Sequence, residues 1–229
     1  MTHDIVYILA NGIKTDEVLY SVRSVVKNFP YHEIWFYGGK PDGIEPDHYV
    51  AVNQTGTSKW DKVNNTLLEI CQNDQITKDF WLFNDDFFIA KKIDDLPPMV
   101  MGTLAWRIQK IFDKRRLHTG YSKKLRETQA VLKDYNLDRL DYAVHCPMLI
   151  NRAKGLETLK RFKGFPMFRS LYGNHHRIGG QITDDFKVFG VDDMPDKDQA
   201  IISTTDIAWR SGKVGEYIRE MFKEPCKYE

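Results

Sequence analysis

The sequence predicts an α/β domain: a mostly parallel sheet flanked by helices, with a basic helical elaboration in its second half. Three observations carry this reading. Short apolar runs of strand length alternate with segments whose apolar residues recur at helical spacing, up to about residue 89. One such run, Asp79-Phe80-Trp81-Leu82-Phe83, leads straight into Asn84-Asp85-Asp86, and Phe87-Phe88-Ile89 resumes the apolar character at once. Formal charge is unevenly spread: residues 1–100 carry −6, residues 101–177 carry +11 and residues 178–229 carry −4.

Ile5-Val6-Tyr7-Ile8-Leu9 reads as a buried first strand ended by Asn11-Gly12. Thr15 can cap the next helix, whose first turn carries Asp16 and Glu17 and whose stripe is Val18, Leu19, Val22, Val25, Val26 and Phe29. Ile34-Trp35-Phe36-Tyr37 is a second strand stopped by Gly38-Gly39, and Tyr49-Val50-Ala51-Val52 a third. Ser58 caps a helix with Trp60, Val63, Leu67 and Ile70 along its core face. The strand ending at Asn84 follows, and Pro97-Pro98 closes this half. Beyond it, Leu104, Ile108, Ile111 and Phe112 predict a helix, and Ser122 to Tyr135 a second, charged one. Tyr142 to Ile150 reads as a strand, with Pro147 marking an edge or an end. Residues 152–163 and 207–222 read as further helices.

A chain of 229 residues, 42% hydrophobic and 13% aromatic, is sized for one sizeable core. Residues 1–98 form a ligand-binding α/β half and 99–229 a basic half of the same domain. No segment reaches the ~18 consecutive apolar residues of a membrane span, and the first residues lack a signal-like core, so no integral membrane contact is expected. The three cysteines, Cys71, Cys146 and Cys226, are widely spaced and match no zinc or redox motif. Reduced thiols and a cytoplasmic location are the expectation. P-loop, dinucleotide and nucleophile-elbow signatures are missing, which disfavours those classes.

Acids are rarely buried without a partner, so the two carboxylates in the aromatic sleeve of residues 80–88 call for a cation. Mg²⁺ or Mn²⁺ suit oxygen ligands. In an extended chain Asn84 and Asp86 share one face, free to hold a metal or a sugar hydroxyl, while Asp85 points to the scaffold. The alternative is a strand-end turn with solvated acids. His145, inside an apolar run, is either a general base or a satisfied core histidine. The polar stretch 169–177 either closes over a pyrophosphate, with Arg169 as a fork donor, or is an exposed loop. The adjacent His175-His176 are not read as a zinc site. Asp184-Asp185, Asp192-Asp193 and Asp206 supply further acids, one of which can act as a base.

Residues 16–25, Asp16-Glu17-Val18-Leu19-Tyr20-Ser21-Val22-Arg23-Ser24-Val25, followed by Phe83-Asn84-Asp85-Asp86-Phe87-Phe88, resemble the Stealth group of sugar-phosphate transferases. More broadly they resemble nucleotide-sugar glycosyltransferases of the Rossmann-related GT-A fold. The resemblance covers mainly residues 4–92, with weaker echoes at His145-Cys146-Pro147 and Ser203-Thr204-Thr205-Asp206. It implies that Asp86 binds the divalent metal on a donor diphosphate, a uridine diphosphate sugar being the first candidate. It implies that Asn84 assists, that Asn11 and Gly12 lie near the base, and that Arg23 supports the donor site. Asp85, His145 or Asp206 would serve the acceptor hydroxyl.

The basic segment from Arg107 to Arg126 holds nine cations counting His118, interleaved with Trp106, Phe112 and Tyr121. That pattern suits an anionic acceptor, first of all DNA carrying a hydroxymethylated base. A cell-surface polysaccharide is the second acceptor. A metal-dependent phosphoesterase or nuclease, and a basic binding module, are readings of other classes.

Overall fold

A computed structural model describes residues 2–114, 116 and 119–229; of the basic segment, Arg115 and His118 lie outside the described residues. The main sheet contains β1 (Asp4–Leu9), β2 (Ile34–Gly38), β3 (His48–Val50), β4 (Asp79–Phe83) and β7 (Met148–Asn151), in the order β3-β2-β1-β4-β7. The first four are parallel and β7 is antiparallel to β4. Between these lie β5 (Phe87–Ile89) and β6 (Met99–Val100).

The pleat divides each buried strand between two cores. Ile5, Tyr7, Leu9, Phe36, Trp81 and Phe83 pack under α1 (Glu17–Asn28), against Val18, Val22 and Val25. Val6, Trp35, Tyr37, Phe80 and Leu82 point the other way, to Leu67 and Ile70 of α2 (Lys59–Gln72). Both strand faces are covered, which is why these strands read as continuous apolar runs. Ser58 caps α2 in a capping box with Asp61, as expected.

The second half is helical, and its chain path departs from the sequence reading at three places. The first is the stretch before β7. Only Met148–Asn151 pairs as a strand, because the preceding N–H groups are taken by side-chain oxygens. Tyr142 N donates to Ser170 Oγ, Ala143 N to Asp141 Oδ1 and His145 N to Asp185 Oδ1, leaving no ladder to join. Pro147 does mark the strand's start and β7 the sheet's edge. The second is residues 168–175, a buried helix rather than a loop. The third is the closing helix, which is two: a break at Gly212 separates residues 206–211 from 213–221, and a Cβ there would lie 2.4 Å from Ala208 O.

The remaining helices are α3 (Leu104–Arg107), running into a π-helical turn at Ile108–Asp113, then α4 (Gly120–Asp134), α5 (Arg152–Arg161), α6 (Phe168–His175), α7 (Asp206–Ser211) and α8 (Lys213–Met221). Leu104, Ile108, Phe112, Leu125, Leu132, Phe162 and Leu171 join α3, α4 and α6 in a third core. A second sheet, β5-β10-β9, is built from β9 (Lys187–Val188) and β10 (Ile201–Thr204) and packs on α7 and α8; β8 (Gln181–Ile182) pairs β6. Among the described residues no helix is long and apolar enough to cross a membrane.

Candidate active site

At the carboxyl ends of β1 and β4 lies a cavity of about 440 Å³, where ligands bind in open α/β sheets. Ala10 and Gln54 line it beyond β1, and Asn84 and Asp85 beyond β4. Val144 and His145 form one wall, Met167 to Ser170 of the α6 entry another, and the first turns of α2 a third. Gln54 holds the end of β1: its Nε2 donates to Leu9 O at 2.7 Å and its Oε1 accepts from Asn11 N at 3.1 Å. Gly38, at φ +101°, makes room for this brace, since a Cβ would lie 2.5 Å from Gln54 Nε2.

The turn 84–86 reverses the expected roles of its two acids. β4 stops at Phe83 and Phe87 N donates back to Asn84 O at 3.4 Å, so strand alternation does not extend through the turn. Asp85 faces the cavity. Asp86 turns to the scaffold, where its Oδ2 accepts from Lys187 Nζ and Ser203 Oγ, each at 2.8 Å. Burial, then the charge of Asp86, pushes the Asp85 carboxyl up to about 6. Glu17 lies nearby; burial, then Asp85, raises it to about 7, although Thr204 and Thr15 hydroxyls donate to its two oxygens.

His145 is the second focus. Its Nδ1 lies 2.9 Å from both oxygens of Asp185, and its backbone N–H donates to Oδ1 at 3.0 Å. Burial works against ionisation of Asp185, but these His145 contacts, with Arg107 further off, hold its carboxyl below the ordinary range. A carboxylate on Nδ1 fixes the proton there and leaves Nε2 as the open acceptor. Arg169 Nη1 donates to Val144 O at 3.2 Å and Cys146 O at 2.5 Å, which holds the His145 segment from beneath. Its Nη2 is buried without a partner among the described residues.

Asn84, Asp85, His145 and Arg169 thus meet in one cavity, and the other anticipated residues fall elsewhere. Asn11 and Gly12 form the exposed turn just past the lining, with Asn11 Nδ2 on Val52 O at 3.0 Å. Arg23 is directed away, bound to Glu229 and to the carbonyls of Phe222 and Lys223, so it anchors the C-terminal residues. Asp206 is exposed in the first turn of α7 and reaches Asp85 only as a like charge. Arg107, counted with the basic surface, is buried on Asp141 at 2.8 Å. Trp60 and Val63, expected in the core stripe of α2, line the cavity, and Val63 is 40% exposed.

Sequence reasoning missed Lys187, Gln54 and the cavity cations Lys59 and Lys62, and left Asp185 as one acid among several. No local motif marks them; Lys187, Gln54 and Asp185 each act across 40 residues or more. The His175-His176 pair does converge with Glu157 where α6 ends, but none of these three lines the cavity. A divalent ion on Asp86, implied by the resemblance, does not fit the residues as placed: an ammonium already occupies that carboxylate and Asn84 is neutral.

No family model and no curated protein matches the chain by sequence. Among solved structures, 99% of the chain aligns with 97% of galactosyltransferase LgtC in complex with donor and acceptor sugar analogs, at TM-score 0.51 and 11% identity. An active-site mutant of LgtC gives TM-score 0.47 at 11% identity, over 99% of this chain and 97% of that one. Mouse xyloside xylosyltransferase 1 gives 0.37 at 8%, over 100% and 96%. The first match shows the architecture: this chain has the mainly parallel, helix-flanked fold of the GT-A glycosyltransferases.

Proposed function

We propose that the chain is a glycosyltransferase that moves a sugar from a nucleotide-sugar donor to an acceptor hydroxyl. The observation that carries this reading is the pairing of His145 with Asp185 in the same cavity as Asp85, at the carboxyl edge of a GT-A sheet. His145 Nε2 takes the proton of the attacking hydroxyl, and Asp185 stabilises the imidazolium that forms. Asn84 and Asp85 hold sugar hydroxyls or the ribose, and Arg169 with Lys59 and Lys62 meets the departing diphosphate. The finer resemblance, to sugar-phosphate transferases of the Stealth group, shares these parts and differs in the bond that breaks. Uridine diphosphate sugars are the first donors to try.

Residues 1–98 supply the donor-side acids and residues 99–229 the histidine and the arginine, so the two halves act as one site. For the acceptor we propose an anionic molecule, with DNA bearing a hydroxymethylated base as the first candidate. Incubation with a nucleotide-sugar panel, followed by mass analysis of products, tests the transferase. Release of nucleoside diphosphate that is lost in His145→Ala and Asp85→Ala supports it. Phosphodiester cleavage with no donor present overturns it in favour of a phosphoesterase.

A further inference from the structure

We propose that donor binding in this cavity needs no divalent metal, because Lys187 already occupies the Asp86 carboxylate on the scaffold side and the cations that line the cavity meet the diphosphate themselves. The proposal rests on the transferase reading above.

The ion pair is set by sheet register. In the second sheet Ser203 stands opposite Phe87 on one side and opposite Lys187 on the other. Phe87 follows Asp86 in sequence, so the ladder itself brings Lys187 and Ser203 to Asp86 from one row. Both donate to the same oxygen, Oδ2, at 2.8 Å. The Lys187 and Asp86 side chains are only 17% and 13% exposed, so water screens the pair weakly. A dication on that carboxylate would have to displace the ammonium or accept like-charge repulsion at contact distance.

The cavity itself has the charge a diphosphate calls for. Among its described lining residues, Asp85 is the one carboxylate, against Lys59, Lys62 and Arg169. Nη2 of Arg169 is a buried donor with no partner among the described residues, while Nη1 is fixed on two carbonyls. Such a donor gains from a phosphate oxygen directly, with no bridging ion.

Calorimetric titration of the full chain with uridine, guanosine, adenosine and cytidine diphosphates, in EDTA and then in Mn²⁺, tests this. At least one nucleotide is expected to bind with a Kd that differs by less than about twofold between the two conditions. In Lys187→Ala, Asp86 is freed, and Mn²⁺ is expected to tighten the same nucleotide by about tenfold. Tightening of that size in the wild type overturns the inference and leaves the transferase standing. A Lys187→Ala protein indifferent to Mn²⁺ overturns the part given to Lys187. Binding of no nucleotide in either condition overturns the inference and the transferase reading together. If Lys187→Ala does not fold, the wild-type comparison still decides.

Discussion

His145 and Asp185, 40 residues apart, meet through both the imidazole and the backbone: Nδ1 lies 2.9 Å from each carboxylate oxygen while the His145 N–H donates to Oδ1. The carboxylate therefore fixes ring position, ring orientation and tautomer at once. Replacing His145 with Ala is expected to slow transfer by about 10²–10⁴-fold. Asp185→Asn presents an amide donor to Nδ1, favours the proton on Nε2 and removes the open acceptor. A rate loss in Asp185→Asn with unchanged affinity for nucleoside diphosphate is the expected pattern, read from donor turnover and titration in parallel. Equal turnover of Asp185→Asn and wild type would falsify the assignment.

The Glu17 carboxyl is raised from 4.5 to about 7 by burial and by Asp85, so the folded protein holds this proton more tightly than the unfolded chain. Below about pH 4.5 the group is neutral in both states. Between there and about 7 stability falls as pH rises, and above 7 the full cost of the buried charge is present. Glu17→Gln keeps the shape, and the Thr15 and Thr204 hydroxyls can rotate to suit the amide. We expect the variant to be more stable than wild type at pH 8 by about 1–3 kcal/mol, with no gain at pH 4. Urea denaturation at the two pH values reads the difference directly.

Much of the first half was legible because its signals are local. Apolar runs, Gly38 and Ser58 carry the strands and caps within a few residues, and the cavity's place at the end of β4 follows from Asn84-Asp85-Asp86. The sense of Asp85 and Asp86 was not legible, because a turn replaces the extended chain that alternation assumes. Asp185 and Lys187 were hidden for another reason. Their partners, His145 and Asp86, lie 40 and 101 residues away; sheet register brings Lys187 to Asp86, and the irregular segments before β7 and β9 bring Asp185 to His145. Residues 169–177 read as a polar stretch that either closes over a pyrophosphate or is an exposed loop, yet Ser170 and Asn174 are buried and bond the backbone of residues 140–142. Their polarity serves that neighbouring segment, so it carries no signal of exposure.

The exposed cations of the helical half give the DNA reading its own check. Arg107 is buried, and Arg126 and Lys124 pair with Asp113 and Glu127, so among the described residues of this segment Lys110, Lys114, Arg116 and Lys123 remain as the exposed contacts. If they contact phosphates, affinity for duplex DNA falls with salt by a slope of about −0.9 per contact. Lys110→Glu with Lys114→Glu should lower that slope by about two, measured by gel shift across a salt series. No shift of duplex at low salt removes DNA as the acceptor.

Arg169 is expected to matter twice. Its removal takes the Arg169 donor from the Cys146 carbonyl, leaves the Val144 carbonyl with the Cys146 N–H alone, and empties the space over the Phe87 ring, whose centroid lies 5.4 Å from the guanidinium. Arg169→Ala should therefore cost about 2–3 kcal/mol of stability. Arg169→Lys keeps the charge with a single point of contact, and should restore part of the stability while nucleotide affinity stays low. A lysine variant that binds nucleoside diphosphate as tightly as wild type would remove the Nη2 donor from the site.

Gly173 decides whether α6 can deliver Arg169 at all. A Cβ on Gly173 would lie 2.4–2.7 Å from three atoms of the Tyr142 ring. That ring cannot swing aside cheaply: its hydroxyl donates to Gly179 O at 2.6 Å and its backbone N–H to Ser170 Oγ. Two effects oppose one another in Gly173→Ala. Helix propensity favours alanine by about 1 kcal/mol, whereas forcing a methyl into a packed ring costs about 1–3 kcal/mol and more where neighbours are pinned. Overpacking wins here, because Tyr142 is held at both ends and is only 2% exposed. We therefore expect a lower Tm together with weaker nucleotide binding, since the displaced helix moves Arg169 and slackens its hold on the Val144 and Cys146 carbonyls. Tyr142→Phe in the same background frees the ring from Gly179 and should recover part of both losses. A Gly173→Ala protein that is more stable than wild type would mean that α6 packs less tightly on Tyr142 than the 2.4 Å approach requires.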